Sequence, residues 1–158
     1  MVILGIDPGY AIVGYGCVRY EHGRFSPLAC GVLRTAAGTP FSARLRTLYE
    51  DMERLLTEQR PDAVAMEKLY FKTNQKTGID VAQARGVLLL AAELQHIPVT
   101  EYTPLQVKSA VTGYGQATKA QVMEMTRRLL RLEEVLKPDD AADAMAMAIC
   151  HAQRGGLR

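Results

Sequence analysis

The stretch that decides the fold is Val2–Gly9, VILGIDPG, followed at Val13–Tyr20 by VGYGCVRY. Val2–Ile6 is an unbroken apolar run, as expected of a buried strand, and Asp7-Pro8-Gly9 ends it in a turn. The second segment and Phe25–Arg34, FSPLACGVLR, follow at the short spacing of an antiparallel meander. From Phe41 to Gln59 the period changes. Leu45, Leu48, Met52, Leu55 and Leu56 recur at steps of three and four, which predicts an amphipathic helix.

Beyond that helix, Pro61–Met66, PDAVAM, reads as a short buried strand with Glu67 at its end. Gly78–His96 reads as a long helix and Pro98–Tyr102 as another short strand. A short helix after Pro104, a Gly113-Tyr114-Gly115 break and a helix from Lys119 to about Leu132 follow. Thr118 and Gln121 have the spacing of a capping box at the start of that last helix. The final helix opens at KPDDAADAMAMAIC and ends at Gly155-Gly156. This order predicts an α/β fold: one domain over residues 1–158, with a mixed five-stranded sheet and helices on both faces.

Bulk composition narrows the function classes. Apolar residues make up 48% of the chain, enough for a full core, and no apolar run approaches the ~20 residues that span a bilayer. A membrane role therefore has no support. Cys17, Cys30 and Cys150 are scattered and odd in number, which predicts reduced thiols in the cytoplasm. A net charge of +2 is too small to signal nucleic acid by itself, so any basic footprint must be local.

The acids carry the chemistry. Asp7 and Glu67 each end a strand, where ligands gather in α/β sheets, although Asp before Pro-Gly is also a good turn former. In the final helix Asp139 has the place of an N-cap, accepting bonds from first-turn amides. Asp140 and Asp143 are three apart and project from one face of a helix whose body offers no polar side. Two carboxylates at a partly buried site repel unless a proton or cation lies between them. With His22, His96 and His151 far apart in the chain, hard divalent cations suit these acids better than zinc. Two such ions about 3.5–4 Å apart are the apparatus of phosphodiester cleavage.

Five segments in order carry a resemblance: GIDPG at Gly5–Gly9, MEKLYF at Met66–Phe71, QARGV at Gln83–Val87, EYTPLQVK at Glu101–Lys108 and DAADAMAMA at Asp140–Ala148. Together they make the chain resemble, end to end, the RuvC family of Holliday junction resolvases. The resemblance implies a ribonuclease-H-like fold, a homodimer, and nicking of two symmetric strands of a four-way DNA junction. It implies Mg²⁺, two ions per site, with the choice between Mg²⁺ and Mn²⁺ left open, and a branch-migration helicase complex of the RuvA/RuvB type as partner. Its catalytic, metal-holding acids would be Asp7, Glu67, Asp140 and Asp143.

Lys68, Tyr70, Phe71, Lys72 and Lys76 interleave basic and aromatic residues, as suits a polar loop that touches phosphates and stacks on a base. The resemblance places a junction-probing ring at Tyr70 with Phe71 beside it; the competing place for either ring is the core. Lys108 and Lys119 coincide with family positions tied to DNA binding and, for Lys119, catalysis, against the ordinary reading of solvated lysines. Arg127, Arg128 and Arg131 read mainly as a solvated face. Arg85, inside a predicted helix, either reaches phosphate or braces the fold. A related metal nuclease acting on RNA or an RNA–DNA hybrid shares these acids and is the alternative. An actin-like phosphotransferase would need a second lobe that 158 residues do not accommodate.

Overall fold

The computed structural model describes residues 1–69 and 75–155, the side chains of 75 and 76 excepted. Three strands open the chain: β1 Val2–Asp7, β2 Ile12–Glu21 and β3 Arg24–Arg34. β2 and β3 are joined at His22-Gly23, both at positive φ (51° and 75°), the backbone that a two-residue hairpin requires. Helix α1, Phe41–Gln59, has the bounds its periodicity predicts and buries Leu48, Met52, Leu55 and Leu56. Strand β4, Ala63–Glu67, helix α2, Gln75–Leu94, and strand β5, Val99–Tyr102, follow. Helices α3 Pro104–Thr112, α4 Lys119–Leu129 and α5 Asp139–Gly155 complete the order.

The sheet runs β3-β2-β1-β4-β5. The meander is antiparallel, while β1 pairs parallel with β4 and β4 with β5. Strand β1 is central and its four inner residues are fully buried, which is why its sequence does not alternate. Its side chains divide the core. Leu4 and Ile6 join Leu48, Met52 and Leu88 under α1 and α2, and Ile3 joins Met145 and Ile149 on the other face with α3, α4 and α5.

Helix α5 is seated on the sheet with almost nothing between them. A Cβ on Gly5 would lie 1.8 Å from the Ala144 carbonyl oxygen, and one on Gly14 would lie 2.1 Å from that of Asp140. Small residues on the strand side and Ala141, Ala144 and Ala148 on the helix side permit this approach, and all three alanines are at most marginally exposed.

Among the boundaries that differ from the sequence reading are three helix ends. Helix α2 begins at Gln75, so the polar segment expected to remain a loop through Gly78 is already helical for its last residues. Gly78 is tolerated inside a helix at a cost of about 1 kcal/mol. Helix α4 stops at Leu129 rather than near Leu132, because Arg131 turns left-handed at φ 55°. Asp139 is the first residue of α5, not its cap; the Ala141 amide instead donates to the Pro138 carbonyl at 3.0 Å. The Thr118–Gln121 capping box is present, with bonds of 3.2 and 2.8 Å.

Gly5→Ala should lower stability by on the order of 2 kcal/mol, the scale of overpacking in a tight core. Thermal unfolding should show it as a Tm about 6 °C lower. An unchanged Tm would show that α5 does not rest on the Gly5 backbone.

Candidate active site

Parallel pairing of β1 with β4, register Ile6↔Met66, brings Asp7 and Glu67 to the same edge of the sheet. On the antiparallel side Asp7 pairs with Gly14. Because the first turn of α5 lies directly over Gly14, that register sets Asp140 beside Asp7, and Asp143 follows about one turn on. Three stretches distant in the chain thus deliver four acids to one end of the sheet.

Asp7, Glu67 and Asp143 line a cleft of about 320 Å³, together with Lys108 from α3 and Lys119 from α4. Its other wall is apolar: Pro104, Val107, Val122 and Met147. Asp140 is not among the lining residues, although its charge acts on Asp7. The Lys119 ammonium lies 3.1 Å from Asp143 Oδ2 and 3.3 Å from Asp139 Oδ2. Lys119 starts α4, and the Thr118 cap fixes where that helix begins. Both ion pairs are about half-exposed, so their weight in stability is small; what they set is the position of the ammonium.

Burial, then the charges of Glu67, Asp143 and Asp140, push the Asp7 carboxyl up to about 7. Burial and Asp143 also raise Glu67. Burial lowers Lys119, but hydrogen bonds and charge from Asp143 and Asp139 outweigh it, and its pKa is raised. Five acids, counting Asp139 on the rim, against Lys108 and Lys119 leave an excess of negative charge at this end of the sheet. That excess, and an all-oxygen donor set, fit hard divalent cations. Among the described residues no three acids already close into a cage. An open set is what Mg²⁺ uses, since it keeps waters and takes substrate phosphate oxygens.

The structure therefore gathers Asp7, Glu67, Asp140, Asp143, Lys108 and Lys119. Tyr70, Phe71 and Lys72 lie outside the described residues, and Lys76 falls in the first turns of α2 with its side chain likewise undescribed. Arg127 and Arg128 both bond Glu124, as expected of a solvated face. The sequence reading missed the partnership of Asp139 with Lys119. Local pattern held no signal for it, since one cap and one helix face already accounted for all three aspartates.

A sheet in this order, with acids ending two adjacent parallel strands and a third element adding two more, is a ribonuclease-H-like fold with an acidic site at its strand ends. The family model described as "Crossover junction endodeoxyribonuclease RuvC" matches residues 3–151. The RuvC of Brevibacillus brevis is 56% identical over 153 residues, 97% of this chain and 92% of its own. Thermus thermophilus RuvC superposes with a TM-score of 0.93 at 35% identity, over 99% of this chain and 96% of the other. The same protein in complex with Holliday junction substrate gives 0.94 at 35% identity, over 98% and 94%. The chain belongs to the RuvC family of crossover junction endodeoxyribonucleases. The RNA-directed alternative finds no support in these relatives.

A raised Asp7 has a thermodynamic sign. Between the ordinary carboxylate value of 3.8 and about 7 the folded state holds this proton more tightly than the unfolded chain does. Stability of the metal-free protein should therefore fall as pH rises toward 7. Asp7→Asn should flatten that fall and raise the metal-free Tm at pH 8. Divalent affinity of the wild type, measured by calorimetry, should climb across the same interval. A pH-independent affinity from 5.5 to 8 would remove Asp7 from the titrating set.

Proposed function

We propose that the chain resolves four-way DNA junctions by paired symmetric nicks, with Asp7, Glu67, Asp140 and Asp143 holding two Mg²⁺ ions. The observation that carries this is the convergence of Asp7, Glu67 and Asp143 with Lys108 and Lys119 on one cleft. Mn²⁺ also suits an all-oxygen set. When bound, such ions activate water and stabilise the departing oxygen of a phosphodiester. The chain's own part is to orient and to balance charge. Lys119, held between Asp143 and Asp139, offsets charge developing on the scissile phosphate, and Lys108 flanks it from α3. The apolar wall of Val107, Val122 and Met147 limits water on the opposite side. Tyr70 and Phe71 stack on bases near the junction centre, while Lys72 and Lys76 meet phosphates.

A four-way junction has two-fold symmetry, and paired cuts call for two copies related the same way. The face of α2 supports this assembly: Ile79, Leu90 and Leu94 are 57%, 53% and 57% exposed on one stripe of the helix. A second copy of the chain covers them. By the family resemblance, the homodimer works with a helicase complex of the RuvA/RuvB type in the cytoplasm. Free Cys17, Cys30 and Cys150 agree with that compartment, and no described helix is long and apolar enough to cross a membrane.

Incubation with Mg²⁺ and a synthetic four-way junction should give symmetric nicks, with little cutting of a linear duplex or an RNA–DNA hybrid. Cleavage of the hybrid alone would overturn the reading. Asp143→Asn should abolish cutting, by at least about 100-fold, while junction affinity measured by gel shift stays within about threefold, the signature of a group acting on the reacting phosphate. Chelation by EDTA should have the same effect, reversed by added Mg²⁺. In a separate test Leu90→Glu with Leu94→Glu should yield monomers in light scattering, since charge replaces the apolar stripe. A dimer that persists would place the interface elsewhere.

A further inference from the structure

Arg85 has a place in the site that none of the roles above includes. It sits on α2 between Ala84 and Gly86, in a helix whose inward positions Ala84, Leu88, Ala91 and Ala92 are apolar and buried. Its side chain is only 14% exposed. The guanidinium ion-pairs with Glu101 on β5, and Nε donates to the backbone carbonyl of Glu67 at 3.4 Å. One side chain therefore ties α2 to β4 and β5 at Glu67, which itself lines the cleft.

We propose that Arg85 is a positioning residue for Glu67. Glu67 is the last residue of β4, and just beyond it the Lys68 amide donates to the Tyr102 carbonyl at 2.8 Å. Pairing with β1 has already ended at Met66, so the backbone that carries the Glu67 carboxylate is paired with β5 alone. Arg85 adds the missing restraint from the helix side. A guanidinium presents donors in a rigid planar fork, so it serves an acid and a carbonyl at once in fixed directions; an ammonium is a point charge without that geometry. Glu101 in turn compensates a cation that would otherwise be buried unpaired, which is the costly arrangement. The same contacts argue against a phosphate-binding role, because little of the side chain is exposed and its charge is already engaged.

The inference rests on Glu67 being one of the metal-holding acids. Residues that orient a ligating carboxylate typically change metal affinity or activity by about 10- to 100-fold when removed. Arg85→Ala should thus weaken Mn²⁺ binding by the DNA-free protein, read by calorimetry, by about 10-fold and lower single-turnover kcat on a bound junction by about 10- to 100-fold. Excess metal should restore part of that kcat, and junction affinity should stay within about twofold. Glu101→Gln, which leaves the guanidinium but removes its charge partner, should move the same two quantities in the same direction by less. Arg85→Lys should recover the Tm more fully than the metal affinity.

Unchanged metal affinity and unchanged metal-saturated kcat, with a lowered Tm alone, would overturn the proposal and leave Arg85 as a brace. A loss of junction affinity with a shallower salt dependence would overturn it in favour of a phosphate contact. Should Arg85→Ala fail to fold, Glu101→Gln and Arg85→Lys carry the same comparison. A wild type that binds Mn²⁺ but cuts no junction would sink the functional reading, while the calorimetric comparison would still decide for or against Arg85.

Discussion

The seat of α5 on β1 and β2 governs the rest of the molecule. Packed layers usually meet through side chains, whose lengths and rotamers leave some freedom in how one layer sits on another. At Gly5 and Gly14 backbone meets backbone, so that freedom is absent. The helix takes one depth and one register, and Asp140 and Asp143 inherit both. The burial of Ala141–Ala142 and Ala144–Ala152 then becomes intelligible. A helix that projects two mutually repelling acids must be held by everything else it touches, because the acids themselves favour separation.

The electrostatics of the site run against the stability of the metal-free fold. Asp7 is largely withdrawn from water and faces three other acids, and its raised pKa follows from both. Lys119 relieves part of it from outside the sheet. It arrives on a separate helix whose start is fixed by the Thr118 box, and Asp139 gives it a second partner on the rim. A cation that bonds two acids of different accessibility can shift its weight between them without leaving the cleft. The opposite wall, built from Val107, Val122 and Met147, contributes no compensating charge.

Much of this was legible in the sequence, for reasons that particular residues make plain. Asp7 and Glu67 stood out because each interrupts a run that local pattern marks as buried strand, and Asp140 with Asp143 because helical spacing forces them onto one face. The Thr118 box is purely local and was read correctly. Asp139 was misread because capping is a local rule, whereas its actual partner lies twenty positions upstream on a different helix. The glycines of β1 and β2 carry no period that separates a close helix approach from ordinary strand punctuation; their meaning depends on what lies above them. Arg85 was ambiguous for the same reason, since Glu101 and the Glu67 carbonyl reach it only through the tertiary fold.

The chain order of the acids also bears on biosynthesis. Asp7 emerges with the first strand, Glu67 with the fourth, and the last pair only with α5, the final element of the fold. On the roles proposed for these acids, a chain folded as far as α4 holds only half of the set. The helix that completes the core therefore also completes the acid set, so a chain unable to seat α5 loses stability and the site together.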